Sequence, residues 1–452
     1  MSLLRLEGFE KYSSLNDINN YLNYTAYQIP TIISASDGTV TPRNSLSSLK
    51  LISTIGSPSY GYPVYYPKFA MRNLQSHTSG ILGFAYYAHV PSGGSYAPTT
   101  PIVAVCEPTG KPHFFICVNA SMQIEIRRWN TSASLGTSNT ITGSTYTWNA
   151  DLTATSIAYD NNYCQQATGY NHHLSTPLTV GQSCLTKNVS YWTQPINTTA
   201  LPLIFTVSGA NVLNMNAWNY IEVEYDIKST STGGFRIRIN RDSSSNTIDG
   251  TITNLQTTTQ PTNNVGQIAF GTFWAHNTAG SAFGSTTNSA GWPTYFDDIY
   301  LINKDSVLPN DFLGNVRCRK IDFDTLVSNT ASSGDLASIS DATINTNCMT
   351  NKLVLNNYDQ NIELRCNSIT IDDAANIKLV QPVVLGYNLG QSVPLKLKAT
   401  LSAAEINGEM ILDSNTITGT IKSGTALTVD PNNNAWTGSN LKNTTFLFGV
   451  KK

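Results

Sequence analysis

WNYIEVEYDIK (218–228), STSTGG (229–234) and FRIRINR (235–241) decide the fold when read together. In the first stretch Ile221, Val223, Tyr225 and Ile227 alternate with Glu222, Glu224 and Asp226; in the last, Phe235, Ile237 and Ile239 alternate with Arg236, Arg238 and Asn240. Successive side chains of an extended chain point to opposite sides, so each stretch presents one face to a core and the other to water. The Ser/Thr/Gly stretch between them is a turn, and the pair predicts an antiparallel hairpin. The same alternation in SMQIEIRR (121–128) turns Met122, Ile124 and Ile126 inward. Helical spacing is rare: Leu15, Ile18 and Leu22 after Ser14 predict one short helix. Turn residues recur about every eight to twelve positions, the punctuation of an all-β sandwich and not of alternating β-α units. No internal repeat or heptad stretch supports a solenoid, propeller or coiled coil.

Composition narrows the function. The chain has 452 residues, more than one core usually organises, so two or more domains are expected. Only 12% of residues are charged, against roughly 25% in an ordinary soluble protein. With 40% hydrophobic and 10% aromatic residues, this is not the profile of a disordered chain; it suits β-rich proteins that pack against neighbours. A net charge of −2 offers no field for phosphate backbones or anionic lipid, so nucleic acid is not an expected partner. No run of eighteen apolar residues occurs, and MSLLRLEGFEKY meets Glu7 and Glu10 early; neither a membrane span nor a signal peptide is expected. The seven cysteines are odd in number and lack CxxC spacing, which predicts buried free thiols from a reducing cytoplasm.

A family resemblance appears at GWPTYFDDIYLINKDSVLPNDFLGNVRCRKI (291–321), through Tyr295-Phe-Asp-Asp-Ile-Tyr-Leu and Asp311-Phe-Leu-Gly-Asn-Val-Arg. This segment resembles the end of the concanavalin A-like lectin domain of a family of tailed-phage virion proteins. The Trp218 and Phe235 stretches, ILGFAYYAHV (81–90), RRWNTSASLGTS (127–138) and LEGFEKY (6–12) resemble earlier stations of that domain, in order. The resemblance implies a jelly-roll domain over 1–314, interrupted by an insertion at 139–212 where the family has a short link. LKLKATL (395–401), ILDSNTITGTIKSG (411–424) and DPNNNAWTGSNLKNTTFLFGVKK (430–452) resemble the smaller C-terminal β-sandwich that follows it, giving a second domain over 315–452.

Catalytic motifs are missing: no phosphate loop, no HExxH, no GxSxG and no EF-hand loop. Asp297 and Asp298 are the most tempting carboxylates, yet as neighbours in a strand they are expected on opposite faces, at a strand end facing a turn; a calcium ion using one of them is the alternative. His172 and His173 diverge on an extended backbone and predict no metal site, and His113 reads as a strand-end histidine. No cofactor is expected. Aromatic rings on turn-rich segments, Tyr60, Tyr62, Tyr163, Tyr170, Tyr191 and Trp192, are the candidate contacts, for neighbouring subunits or for sugar faces. The expectation is a structural subunit of a tailed-phage virion (decoration, collar, baseplate or fibre), homo-oligomeric, bound to other virion proteins and without enzymatic activity. The alternative is a carbohydrate-binding adhesin for host-surface glycan. A glycan-cleaving enzyme is a third class, needing two carboxylates about 5–10 Å apart in a cleft.

Overall fold

The computed structural model describes residues 3–9, 24–27, 31–34, 40–43, 47–52, 68–71, 74–89, 99–108, 112–129, 145–147, 164–165, 170–171, 176–177, 183–185, 202–207, 212–241, 247–271, 293–304, 311–337, 353–386, 393–412 and 420–450. The predicted hairpin is present in register: Ile221 lies opposite Ile239, Val223 opposite Ile237 and Tyr225 opposite Phe235. It belongs to an eight-stranded antiparallel sheet ordered Thr247–Leu255, Gly233–Arg241, Trp218–Asp226, Ser79–Tyr87, Pro293–Asn303, Ser47–Ile52 and Thr31–Ser34, with Leu3–Glu7 also paired to Pro293–Asn303. A seven-stranded sheet faces it, ordered Leu203–Thr206, Ile124–Arg128, Pro112–Asn119, Thr99–Cys106, Gln267–Gly271, Lys68–Met71 and Tyr24–Tyr27. The two make a jelly-roll sandwich.

Its core is the set the alternation predicts. Ile221, Val223, Tyr225, Phe235, Ile237 and Ile239 are buried from one side, and Phe114, Ile116, Ile124 and Ile126 from the other. Phe114 meets Phe235 across the gap, edge to face, with ring centroids 4.8 Å apart. Burying each such side chain contributes about 1.5–3 kcal/mol. Leu203–Thr206 falls within the predicted insertion, but it pairs with Ile124–Arg128, Leu203 opposite Arg127 and Thr206 opposite Glu125. It is therefore an edge strand of the second sheet. The inserted chain leaves beyond Trp129 and returns at Pro202, whose carbonyl accepts from the Arg128 amide. Inside it, Thr145–Thr147 pairs with Ser183–Leu185, and Cys164–Gln165, Tyr170–Asn171 and Thr176–Pro177 form a small sheet.

After residue 320 the chain forms a five-stranded sheet, Thr325–Asn329, Asn361–Arg365, Thr445–Val450, Val393–Leu401 and Ala404–Leu412, with two short strand pairs. Its core is Ile362, Leu364, Leu397, Ala399, Trp436, Leu441, Phe446 and Phe448. The sole helix among the described residues, Gly438–Asn443, is capped by Thr437, whose hydroxyl accepts from the Asn440 amide. The predicted helix after Ser14 lies outside the described residues.

One expectation about solvent fails. The Glu222 face of the first sheet is not in water: Ile81, Ala85, Trp218, Tyr220, Tyr295, Tyr300 and Ile302 form a buried cluster there, packed by Phe312, Leu313 and Val316 and joined by Leu379 and Ala426 from the C-terminal unit. Alternation fixed which residues share a side, but the chain covers that side with a segment about ninety residues further on.

Candidate functional site

A sandwich has two outward faces, and the first sheet's is filled by the chain itself. Arg43 and Asp298, neither side chain exposed, form an ion pair of 2.7 Å. Arg43 also donates to the Val316 carbonyl at 2.7 Å, and Asp298 Oδ1 accepts from the Cys318 amide at 2.6 Å. Asp297 accepts from the Ser48 hydroxyl at 2.7 Å. Asp298 has φ +48° beside a bulge between Asp297 and Tyr300, so strict alternation is broken and both carboxylates reach the outward side. The expectation of opposite faces is thus corrected, but not toward catalysis: a guanidinium, a hydroxyl and backbone amides hold these oxygens, which makes the pair a seat for residues 315–318.

The second sheet's outward face carries a different arrangement. Pro112–Asn119 and Ile124–Arg128 form a hairpin whose turn is closed by Asn119: its Oδ1 accepts from the amides of Ser121 at 2.9 Å and Gln123 at 3.0 Å. Met122, with φ +56°, completes the turn. The same Asn119 aims its Nδ2 at Glu125 Oε1, 2.8 Å away, while Arg127 Nε donates to Glu125 Oε2 at 2.8 Å. Glu125 is only 6% exposed. Its cross-strand neighbour is Cys117, and that of Arg127 is Phe115. From Arg127 the row runs through Phe115, Ala104 and Ala269 to Ala70, so small residues floor the middle of the sheet beside one ring and one ion pair with its amide neighbour. Trp129 closes over Phe115 with centroids 6.3 Å apart. Burial pushes the Cys117 thiol well above its ordinary range, so it is an apolar neighbour and not a nucleophile.

At the other end of this face His113 is fully buried. Its Nε2 lies 3.0 Å from the Asn264 carbonyl and its Nδ1 2.8 Å from Thr258 Oγ1. Burial lowers its pKa, so the ring is neutral, with Nε2–H donating to the carbonyl and Nδ1 accepting from the threonine. This is a structural histidine, at the strand start where the sequence places it.

Of the aromatic candidates, Tyr60, Tyr62, Tyr163, Tyr191 and Trp192 lie outside the described residues, as do His172 and His173; for Tyr170 only the backbone strand is described. The site that does emerge, Asn119, Glu125 and Arg127, was missed. In SMQIEIRR the alternation marks Met122, Ile124 and Ile126 as inward and assigns their polar partners to water. The available signal was Glu125 and Arg127 two apart on one face of a strand. Cys106, Cys117, Cys318 and Cys366 are buried free thiols, as expected of them. No group of metal-ligating side chains occurs among the described residues, and no helix among them is long and apolar enough to cross a membrane.

No family model matches the chain, and no curated protein matches it. Among solved structures, the chain is similar to the endo-β-1,4-glucuronan lyase of the fungus Trichoderma reesei at 13% identity and a TM-score of 0.35, over 66% of this chain and 94% of the lyase. A marine alginate lyase from Aplysia kurodai gives 12% identity and a TM-score of 0.35, over 67% of this chain and 100% of that one. Lectin UEA-II, complexed with galactose, gives 8% identity and a TM-score of 0.26, over 62% and 97%. These likenesses concern the sandwich. They correct one expectation: with lyases and a lichenase among the similar structures, a missing short motif is no ground for excluding enzymatic activity. The physical reason is that groups on a sheet face converge from strands far apart in the chain and leave no local signature.

Proposed function

We propose that this chain is a carbohydrate-recognising protein whose glycan site lies on the outward face of the second sheet, at the Asn119–Glu125–Arg127 edge. One observation carries the reading: a nearly buried carboxylate stands on an apolar sheet face, opposite Cys117, oriented by an amide and a guanidinium. Burying that charge costs several kcal/mol before compensation, and the amide and guanidinium beside it supply the compensation while fixing its orientation. Amide, carboxylate and guanidinium side by side form the planar donor and acceptor array that matches vicinal hydroxyls. The stems of the insertion, at Trp129 and Pro202, flank this edge.

The test is a glycan array that includes neutral and uronate polymers, read for binding and, in parallel, for newly formed chain ends. Wild type should bind, and Glu125→Gln and Arg127→Ala should each weaken binding about tenfold or more while melting normally. Absence of binding and cleavage across the array overturns the proposal.

A second reading, a structural subunit of a tailed-phage particle bound to other virion proteins or its own copies, is favoured by a separate observation. Leu326 and Val327, adjacent on the edge strand Thr325–Asn329, are 38% and 44% exposed. A bulge between Leu326 and Ser328 interrupts the alternation, so two adjacent apolar side chains stand exposed on an edge strand, as in a strand that meets a partner. Locating the protein in purified particles tests it, and a chain found only free of particles would remove that reading.

A further inference from the structure

Glu222 is a buried carboxylate away from the glycan face, on the outward side of the first sheet. It has no solvent exposure. Its Oε1 accepts from the Tyr300 hydroxyl at 2.5 Å and from the Gly314 amide at 2.9 Å, and the Leu313 amide donates to the Tyr300 oxygen at 3.3 Å. Its Oε2 is buried with no hydrogen-bond partner. One carboxyl group thus ties the first sheet to the segment leading into the C-terminal unit, with half of its own bonding capacity unmet.

The charges around it are committed elsewhere. On its own strand, Glu224 is engaged by Arg236 and Lys304, and Tyr220 donates to the Asp298 carbonyl. On the next strand Arg238, directly opposite Glu222, is bonded to Asp249 at 2.9 Å, and Arg236 also holds Asp311. On the other side, Gly83 stands opposite both Glu222 and Tyr300 and contributes no charge. Asp298 is bound to Arg43 with Arg317 3.9 Å away, and Cys318 lies beyond. Arg238 acts on Glu222 only through space, as a minor favourable influence on its charged form.

We propose that Glu222 is a protonation-controlled latch: with its proton on, it holds residues 311–318 against the first sheet, and its ionisation loosens that segment and the C-terminal unit attached to it. An ionised Glu222 would keep a buried oxygen without a donor, and it regains water only if the segment lifts. Burial is the dominant influence and lifts the carboxyl to about 7, opposed by the Tyr300 and Gly314 donors, so the latch responds near neutrality. Gly314 sits at φ +87°, a conformation that suits glycine, which lets its amide turn toward the carboxylate.

Amide hydrogen exchange of the full chain tests this, following peptides that cover 311–318 from pH 5.5 to 8.5 after correction for intrinsic rates. Wild type should lose about tenfold or more protection there as pH rises through neutrality, while Glu222→Gln stays protected at every pH. Tyr300→Phe removes a donor that favours the charged form, so its loss of protection should move to higher pH. That variant decides the matter if Glu222→Gln does not fold. Wild-type protection that is flat with pH, the same fall in Glu222→Gln, or a Tyr300→Phe transition that is unmoved or shifted to lower pH overturns the latch.

Discussion

Gly83 has no side chain because Tyr300 crosses it. A Cβ built there would lie 2.1 Å from Tyr300 Cε1, a distance no packed pair of carbons tolerates. The ring passes over that strand to reach Glu222. Gly83→Ala should therefore displace Tyr300, strip Glu222 of a donor and cost about 3 kcal/mol in chemical denaturation. A cost under about 1 kcal/mol would show that the Tyr300–Glu222 contact does not hold this face. Glu222 also makes stability depend on pH, and the sign is set by its elevated pKa. From an ordinary value of 4.5 it rises to about 7, so between those values the folded state binds more protons than the unfolded one. Its contribution is fully favourable below about pH 4.5 and is lost as pH rises through 7, amounting to about 3 kcal/mol over the interval. Comparing wild type with Glu222→Gln by urea unfolding at pH 5 and pH 8 isolates it: the variant should gain on wild type as pH rises, and an unchanged difference rejects the assignment.

At the scale of elements, the hairpin and the inward faces were legible because period-two alternation is local: Ile221, Val223, Phe235 and Ile237 announce their side of the strand within a few residues. What covers the other side was not. Glu222 meets Gly314 92 positions away and Arg43 meets Asp298 255 positions away, and nothing in either local pattern encodes the partner. Asp298 shows the same limit in miniature, since a bulge with positive φ undid the alternation on which its reading depended. Glu125 and Arg127 were visible as a pattern but not as a pair with Asn119, which belongs to the preceding strand. The edge strand Leu203–Thr206 gives a prediction of its own. It keeps its pairing to Ile124–Arg128 whatever lies between, so replacing 131–200 by a short Gly/Ser linker should leave the melting temperature within a few degrees, because loop closure depends weakly on length. Collapse of the fold in circular dichroism would show that the inserted chain is part of the sandwich's core and not an addition to its edge.

For the whole molecule the question is where the jelly roll ends, and the covering segment makes the answer physical. We propose a boundary after residue 320 in place of the expected one at 314, since Val316 and Cys318 still bind Arg43 and Asp298 of the first sheet. A chain of residues 1–320 keeps those bonds and the Phe312, Leu313 and Val316 side chains over Tyr220, Tyr295 and Tyr300; from this cluster it loses the Leu379 and Ala426 contacts of the C-terminal unit. A chain of residues 1–308 would bare that apolar cluster and leave Arg43, Asp298 and Glu222 without their backbone partners, and stripping partners from buried charged groups costs about 3–5 kcal/mol for each broken pair. The longer truncation should therefore melt cooperatively within several degrees of the full chain and stay monomeric in size-exclusion chromatography with light scattering. The shorter one should aggregate or melt far lower, because it presents a buried-type surface to water with no field of charge to keep copies apart. Equal behaviour of the two would mean that residues 311–318 rest on the sheet without supporting it, and that the fold of the first unit is complete before they are reached.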